Sequence, residues 1–252
     1  MSGNDIGLWF RSIPDITRYW FAGSIIFPLA GRFGILNYFD MILDYAFISR
    51  FQIWRPFTCL LYYPITPATG FHYLIMLYFL YSYSSRLESG LFAGKPADYL
   101  FLVIFNWLAL IVVCLFLGFP LLFDPMVMSI LYIWCQLNRD NIVSFWFGTQ
   151  FKAMYLPWVL LAFNLIIRGG GFSELLGILV GHLYFFLMFK YPQDFGGRTL
   201  IGTPSFFYNF LPNHRGVMSG FGSAPPTRQP AARADQQGGA HRWGQGNVLG
   251  GQ

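Results

Sequence analysis

Between Ser173 and Phe189 the chain reads Ser-Glu-Leu-Leu-Gly-Ile-Leu-Val-Gly-His-Leu-Tyr-Phe-Phe-Leu-Met-Phe, which sets a carboxylate, Glu174, and an imidazole, His182, in one apolar run. Both are acid–base groups by type. Eight residues of helix separate them by about 12 Å along the axis, so they do not pair on their own helix. Gly177 and Gly181 lie four apart on one face, where a neighbouring helix can approach to backbone contact. Asn164 adds a polar group in the preceding apolar run. Two readings of Glu174 stay open: an isolated charge at the water boundary of a membrane, or a hydrogen-bonding group that holds the last two apolar segments together. His182, beside Gly181 and Tyr184, reads as a satisfied packing residue.

The elements that position these groups belong in a bilayer. Hydrophobic residues make up 55% of the 252 and charged residues 11%, and mean hydropathy is +0.47, whereas soluble domains carry about 25% charge. An aromatic share of 21% fits the same class, since Trp and Tyr collect at membrane interfaces. The net charge of +5 is topogenic; no basic run interleaved with aromatics points to nucleic acid. Cys59, Cys114 and Cys135 are scattered, with neither a disulfide framework nor a zinc spacing, so no metal or cofactor is expected.

Apolar runs at Tyr19–Leu36, Phe71–Ser85, Tyr99–Leu117, Leu121–Leu137, Tyr155–Ile167 and Leu175–Phe189 predict six spans. Several are short. The last rises only about 22 Å against a hydrocarbon core of about 30 Å, so the protein is expected to thin the bilayer or to shelter short helices behind longer ones. An even count puts both termini on one side. Of the 16 basic residues, Arg32, Arg50, Arg55 and Arg168 face the other side and the remaining 12 share the terminal side, which makes the termini cytosolic.

The loop between the first two spans contains Phe51-Gln52-Ile53-Trp54-Arg55-Pro56 and is too apolar for a solvated linker. It is expected to lie flat in the membrane, with Trp54 at the headgroup level and Arg50 and Arg55 snorkelling out. After Pro212 the hydrophobic periodicity stops and Gly, Pro, Gln, Ala and Arg dominate, a composition that cannot order itself. This flexible tail ends in His241-Arg242-Trp243-Gly244-Gln245-Gly246-Asn247-Val248-Leu249-Gly250, where Trp243 and Leu249 offer two apolar anchors to a pocketed partner. Arg139-Asp140 reads as a surface ion pair or a gate latch.

Six spans, a membrane-lying first loop with Trp54-Arg55 and a Gly177-to-Gly181 motif on the last span resemble the rhomboid superfamily over about residues 15 to 190. Active members place a nucleophilic serine in G-x-S-G on the fourth span and a histidine one turn before the last-span glycine motif. Here the fourth span reads Met126-Val127-Met128-Ser129-Ile130-Leu131, without the flanking glycines, and Glu174 takes the histidine position. Serine chemistry needs a base about 2.6 to 3.2 Å away and donors for the oxyanion. A carboxylate is too weak a base for that task, so Ser129 and Glu174 are expected to mark a vestigial site. Ser129 itself reads as a helix-interior hydroxyl bonded to its own backbone.

More specifically, Asp5-Ile6-Gly7, Trp9-Phe10-Arg11-Ser12-Ile13-Pro14, Phe51 to Pro56, Asn138-Arg139-Asp140, Ser144-Phe145-Trp146-Phe147-Gly148-Thr149 and Gly181 to Leu187 resemble the Derlin family. The resemblance implies an all-α membrane protein of rhomboid-like fold: a cytosolic segment 1–18, a six-span domain 19–190 with a membrane-embedded first luminal loop, a juxtamembrane segment 191–211 and a disordered cytosolic tail 212–252. It also gives Trp54 and Arg55 a substrate-gating or loop-stabilising role beside that of an interfacial anchor. It implies a pseudoprotease of the endoplasmic reticulum membrane that serves the retrotranslocation of misfolded luminal and membrane proteins for degradation. The implied partners are a ubiquitin ligase complex, further copies of the chain, and the valosin-containing AAA+ ATPase docked on Trp243, Gly244, Gln245, Gly246 and Leu249. The competing readings are an active intramembrane serine protease and a small-solute transporter; the latter predicts inverted repeats and paired broken helices, which the sequence does not display.

Overall fold

The computed structural model describes residues 3–45, 49–144, 148–196 and 200–213. Helices dominate, and each of the six apolar runs is helical. In chain order these helices are α1 (Gly3–Ser12), α2 (Asp15–Arg32), α3 (Tyr38–Met41), α4 (Arg55–Leu61), α5 (Gly70–Phe79), α6 (Pro96–Leu117), α7 (Phe123–Leu137), α8 (Leu156–Arg168), α9 (Phe172–Phe185), α10 (Tyr191–Asp194) and α11 (Ser205–Phe210). A short antiparallel hairpin, β1 (Ile142–Ser144) and β2 (Gln150–Lys152), joins α7 to α8, with Val143 opposite Phe151.

The boundaries follow local chemistry. Proline stands in the first turn of α6 and α8, where its missing N–H is no loss. Both helices end on a glycine in the left-handed region, Gly118 at φ 74° and Gly169 at φ 65°, conformations that a Cβ would strain. The N-terminus of α2 follows Pro14, which offers no side-chain cap. Glu88 supplies the cap from another segment, accepting from the backbone N–H of Ile16 at 2.9 Å and of Thr17 at 2.8 Å, and from the Thr17 hydroxyl at 2.7 Å.

At the centre stands α7, buried along nearly its whole length from Phe123 to Cys135. Its most extensive neighbour is α9, and α5, α6 and α8 also pack on it. Large apolar side chains elsewhere point outward, among them Val112 and Phe116 on α6 and Ile166 on α8, a surface that suits lipid and not water.

Among the described residues two helices, Pro96–Leu117 and Phe172–Asp194, are long and apolar enough to cross a membrane; Phe123–Leu137 and Ala153–Ile166 are apolar but shorter. The last segment corrects the expected short span. Helix α9 passes through a π-helical turn, Phe186–Lys190, directly into α10, so the rod covers 23 residues, about 35 Å at 1.5 Å per residue. The short helix α7 is instead the one sheltered behind its neighbours.

Beyond α10 the chain folds back on α6. Thr203 and Tyr208 both donate to Asp98 Oδ1, at 2.6 and 2.7 Å, and Phe207 packs edge-on to Phe101. Asp140, at the hairpin's entry, pairs with Lys152 at 2.9 Å on the surface. The Lys152 hydrogen bond holds the Asp140 carboxyl below its usual value.

Candidate functional site

The glycine face of α9 meets α7 as its spacing predicts. A Cβ on Gly177 would collide with the carbonyl oxygen of Pro125 and stand 2.8 Å from Met128 Cβ, and one on Gly181 would stand 2.7 Å from the Ser129 carbonyl oxygen. Gly177 therefore lies level with Pro125 and Gly181 level with Ser129, so the two helices run side by side in the same direction.

This register separates the two vestigial positions. Ser129 sits level with Gly181, while Glu174 lies seven residues earlier on α9, about 10 Å along the axis. The Ser129 hydroxyl donates to the Met126 carbonyl at 2.8 Å, the helix-internal bond expected of it. His182 bonds through Nδ1 to the Tyr132 hydroxyl at 2.8 Å. Ser129 and Glu174 are not brought together.

Glu174 is not isolated. It is 1% exposed and stands in a polar cluster built from four helices. Asn164 of α8 donates to its Oε1 at 3.0 Å, which is a hydrogen bond between the last two apolar segments, and Ser173 donates to its Oε2 at 2.8 Å. His72 of α5 brings Nε2 to 3.5 Å from Glu174 Oε1, and Asp124 of α7 places Oδ1 4.0 Å from His72 Nδ1. The Tyr63 hydroxyl, from the segment after α4, completes the ring of contacts at 3.1 Å from His72 Nδ1.

His72 and Asp124 were not legible as site residues, because they lie in separate apolar runs and meet Glu174 only through tertiary packing. One signal was available. Each of the three is an ionisable side chain in the first turn of an apolar helix, and intramembrane ionisable residues mark function by default.

The cluster stands between two hollows. A cavity of about 510 Å³ has His72 and Asn164 in its wall with Tyr83, Ser144, Leu160 and Phe163. A second, of about 200 Å³, is lined by Asp124 and Ser173 with Tyr63, Thr69 and Phe119. The arrangement is a buried polar partition whose members bond to one another, with a hollow on either side.

The first-loop motif divides into two roles. Trp54 is half exposed at the start of α4, as an interfacial anchor would be. Arg55 does not snorkel. It is 6% exposed, and its guanidinium donates to the carbonyls of Phe39 at 2.8 Å and Ile42 at 3.0 Å, and to the Gln52 side chain. Bonding the backbone of the loop satisfies it better than headgroup water, because the charge then ties three stretches of one loop together. The docking box at Trp243, Gly244, Gln245, Gly246 and Leu249 lies outside the described residues.

The chain is similar to known proteins along nearly its whole length. The sequence profile of the Der1-like family matches residues 13–205. Derlin-1 of Mus musculus is 58% identical over 251 residues, covering 99% of this chain and all of the mouse protein. Derlin-1 of Homo sapiens is 57% identical over 250 residues with the same coverage, and Derlin-1 of Drosophila melanogaster is 42% identical over 247 residues, 98% of this chain and 99% of the fly protein.

Proposed function

The chain belongs to the Der1-like family, and from that premise we propose that it works in the endoplasmic reticulum membrane as a non-catalytic, rhomboid-like component of the degradation pathway for misfolded proteins. The observation that carries this reading is the identity of 57–58% to mammalian Derlin-1 proteins along nearly the entire chain. In the proposed arrangement α2, α5, α6, α7, α8 and the α9–α10 rod are six spans, with both termini in the cytosol.

The mechanism is retrotranslocation through a channel or a locally thinned bilayer. Helix α8 has 13 residues, about 20 Å of rise against a hydrocarbon core of about 30 Å, so lipid beside it must thin. The partition of His72, Asp124, Asn164 and Glu174, with a hollow on each side, offers a misfolded luminal or membrane protein hydrogen bonds at a depth where lipid offers none. A ubiquitin ligase complex and further copies of the chain complete the assembly.

Work is supplied by the valosin-containing AAA+ ATPase, captured by Trp243, Gly244, Gln245, Gly246 and Leu249 on the tail 212–252. A tether raises the motor's local concentration without fixing its geometry. Deleting Trp243 to Gln252 is expected to abolish ATPase pull-down and to slow turnover of a misfolded reporter while membrane insertion stays intact. Unchanged ATPase binding would remove the adaptor role.

A further inference from the structure

Three helices begin at one end of the bundle, and each carries a metal-type donor in its first turn. His72 is third in α5, Asp124 second in α7 and Glu174 third in α9. We propose that these three side chains bind one divalent transition-metal ion, zinc before others, which pins the first turns of α5, α7 and α9 to one another. The proposal stands apart from the degradation role, since it concerns what holds the polar partition.

The donor chemistry fits. One imidazole nitrogen and two carboxylate oxygens form a set that zinc accepts, with a water or a neighbouring oxygen in the fourth place. One ligand atom can be taken from each residue so that all lie within 4.8 Å of one another. Bonds of about 2.1 Å in a tetrahedron put ligand atoms about 3.4 Å apart. His72 Nε2 and Glu174 Oε1 already stand at 3.5 Å, whereas Asp124 Oδ1 stands 4.0 Å from Nδ1 and has to swing round to the Nε2 edge of the ring to complete the set.

The surroundings orient two of the three donors as a metal centre requires. Tyr63 engages His72 Nδ1, which turns Nε2 toward Glu174, and Asn164 and Ser173 hold the two oxygens of that carboxylate. Partners of this kind fix ring and carboxylate orientation around bound metals. Charge points the same way. Two carboxylates outweigh one imidazole in a pocket where Glu174 is 1% exposed and His72 6%, and a dication reverses that imbalance. The cavity of about 200 Å³ that reaches Asp124 and Ser173 supplies an entry path and room for a water ligand. Sequence spacing conceals the site, because its donors come from three helices and not from one short motif.

The test uses the full chain in lipid nanodiscs, stripped with chelator and titrated with Zn²⁺, with Co²⁺ as the spectroscopic probe. Wild type is expected to take up about one Zn²⁺ per chain and to give the visible bands of low-coordinate Co²⁺. Asp124→Asn is expected to weaken uptake by about tenfold or more and to bleach those bands, whereas His182→Asn leaves both unchanged. Uptake by Asp124→Asn equal to wild type, or none by wild type, overturns the proposal. Should Asp124→Asn fail to fold, X-ray absorption of zinc-loaded wild type decides: a shell of oxygen with a single imidazole supports the site, and a shell containing sulfur or several imidazoles refutes it.

Discussion

The backbone of Ser129 closes against Gly181: a Cβ added to that glycine would stand 2.7 Å from the Ser129 carbonyl oxygen and 3.1 Å from its Cα. One turn earlier Gly177 meets the Pro125 carbonyl more tightly still. Lipid removes the hydrophobic drive between helices, so this close fit, repeated along α7 and α9, is the main attraction between them. Gly177→Ala is expected to destabilise by about 1–3 kcal/mol, since the obstacle is backbone and cannot rotate away. Gly181→Ala should act in the same direction with a smaller effect. Thermal melting in detergent checks both, with Gly7→Ala as control because nothing lies within 4 Å of its built Cβ. A Gly177→Ala protein that melts like wild type would remove the packing role.

Arg55 and Trp54 are neighbours with unequal parts. Arg55 satisfies two carbonyls, Phe39 and Ile42, from a buried position, and a lysine cannot reproduce its planar fork. Arg55→Lys is therefore expected to destabilise by about 1–3 kcal/mol and to expose the first loop to added protease. Trp54→Phe keeps a half-exposed aromatic at the same place and is expected to leave the protease pattern unchanged. Equal sensitivity of the two variants would mean that the loop is held by something other than the guanidinium.

The glycine face was legible because its physics is one-dimensional: two small residues four apart define a helix face whatever lies opposite. The helix-internal bond of Ser129 was legible for the same reason, as its acceptor is three residues away on the same helix. The buried place of Arg55 is not legible in the sequence, because its acceptors, Phe39 and Ile42, become neighbours only after the loop folds. His72 and Asp124 stayed hidden because three helices have to start at one level before the donors meet. Hydropathy fades at Lys190 and makes the last span look short in the sequence, while the backbone continues through a π turn into α10.

Glu88 caps a helix that it does not belong to. Its carboxylate takes the N–H groups of Ile16 and Thr17 and the Thr17 hydroxyl, and Thr17 in turn bonds Ser84 at 2.6 Å. Glu88→Gln keeps the shape but replaces one of the two acceptor oxygens by a donor. A loss of about 1–3 kcal/mol is expected, with faster amide exchange at Ile16 and Thr17 and little change in α6. Uniform exchange along the chain would instead indicate global unfolding.

Ser129 decides between the non-catalytic reading and the protease alternative. Its hydroxyl is spent on Met126, its backbone is packed under Gly181, and Glu174 lies about 10 Å away along the axis, engaged with Asn164, Ser173 and His72. Among the described residues the Ser129 hydroxyl bonds only to Met126 in that arrangement, so removing it takes away only a bond to its own helix. Ser129→Ala is expected to change stability by less than about 1 kcal/mol and to leave reporter turnover and ATPase pull-down at wild-type levels. The measurement that matters is cleavage of a reporter transmembrane segment by purified protein in nanodiscs. Neither wild type nor Ser129→Ala is expected to cut it; cleavage by wild type that disappears in Ser129→Ala would restore the serine protease, with a base recruited by rearrangement of α9 against α7.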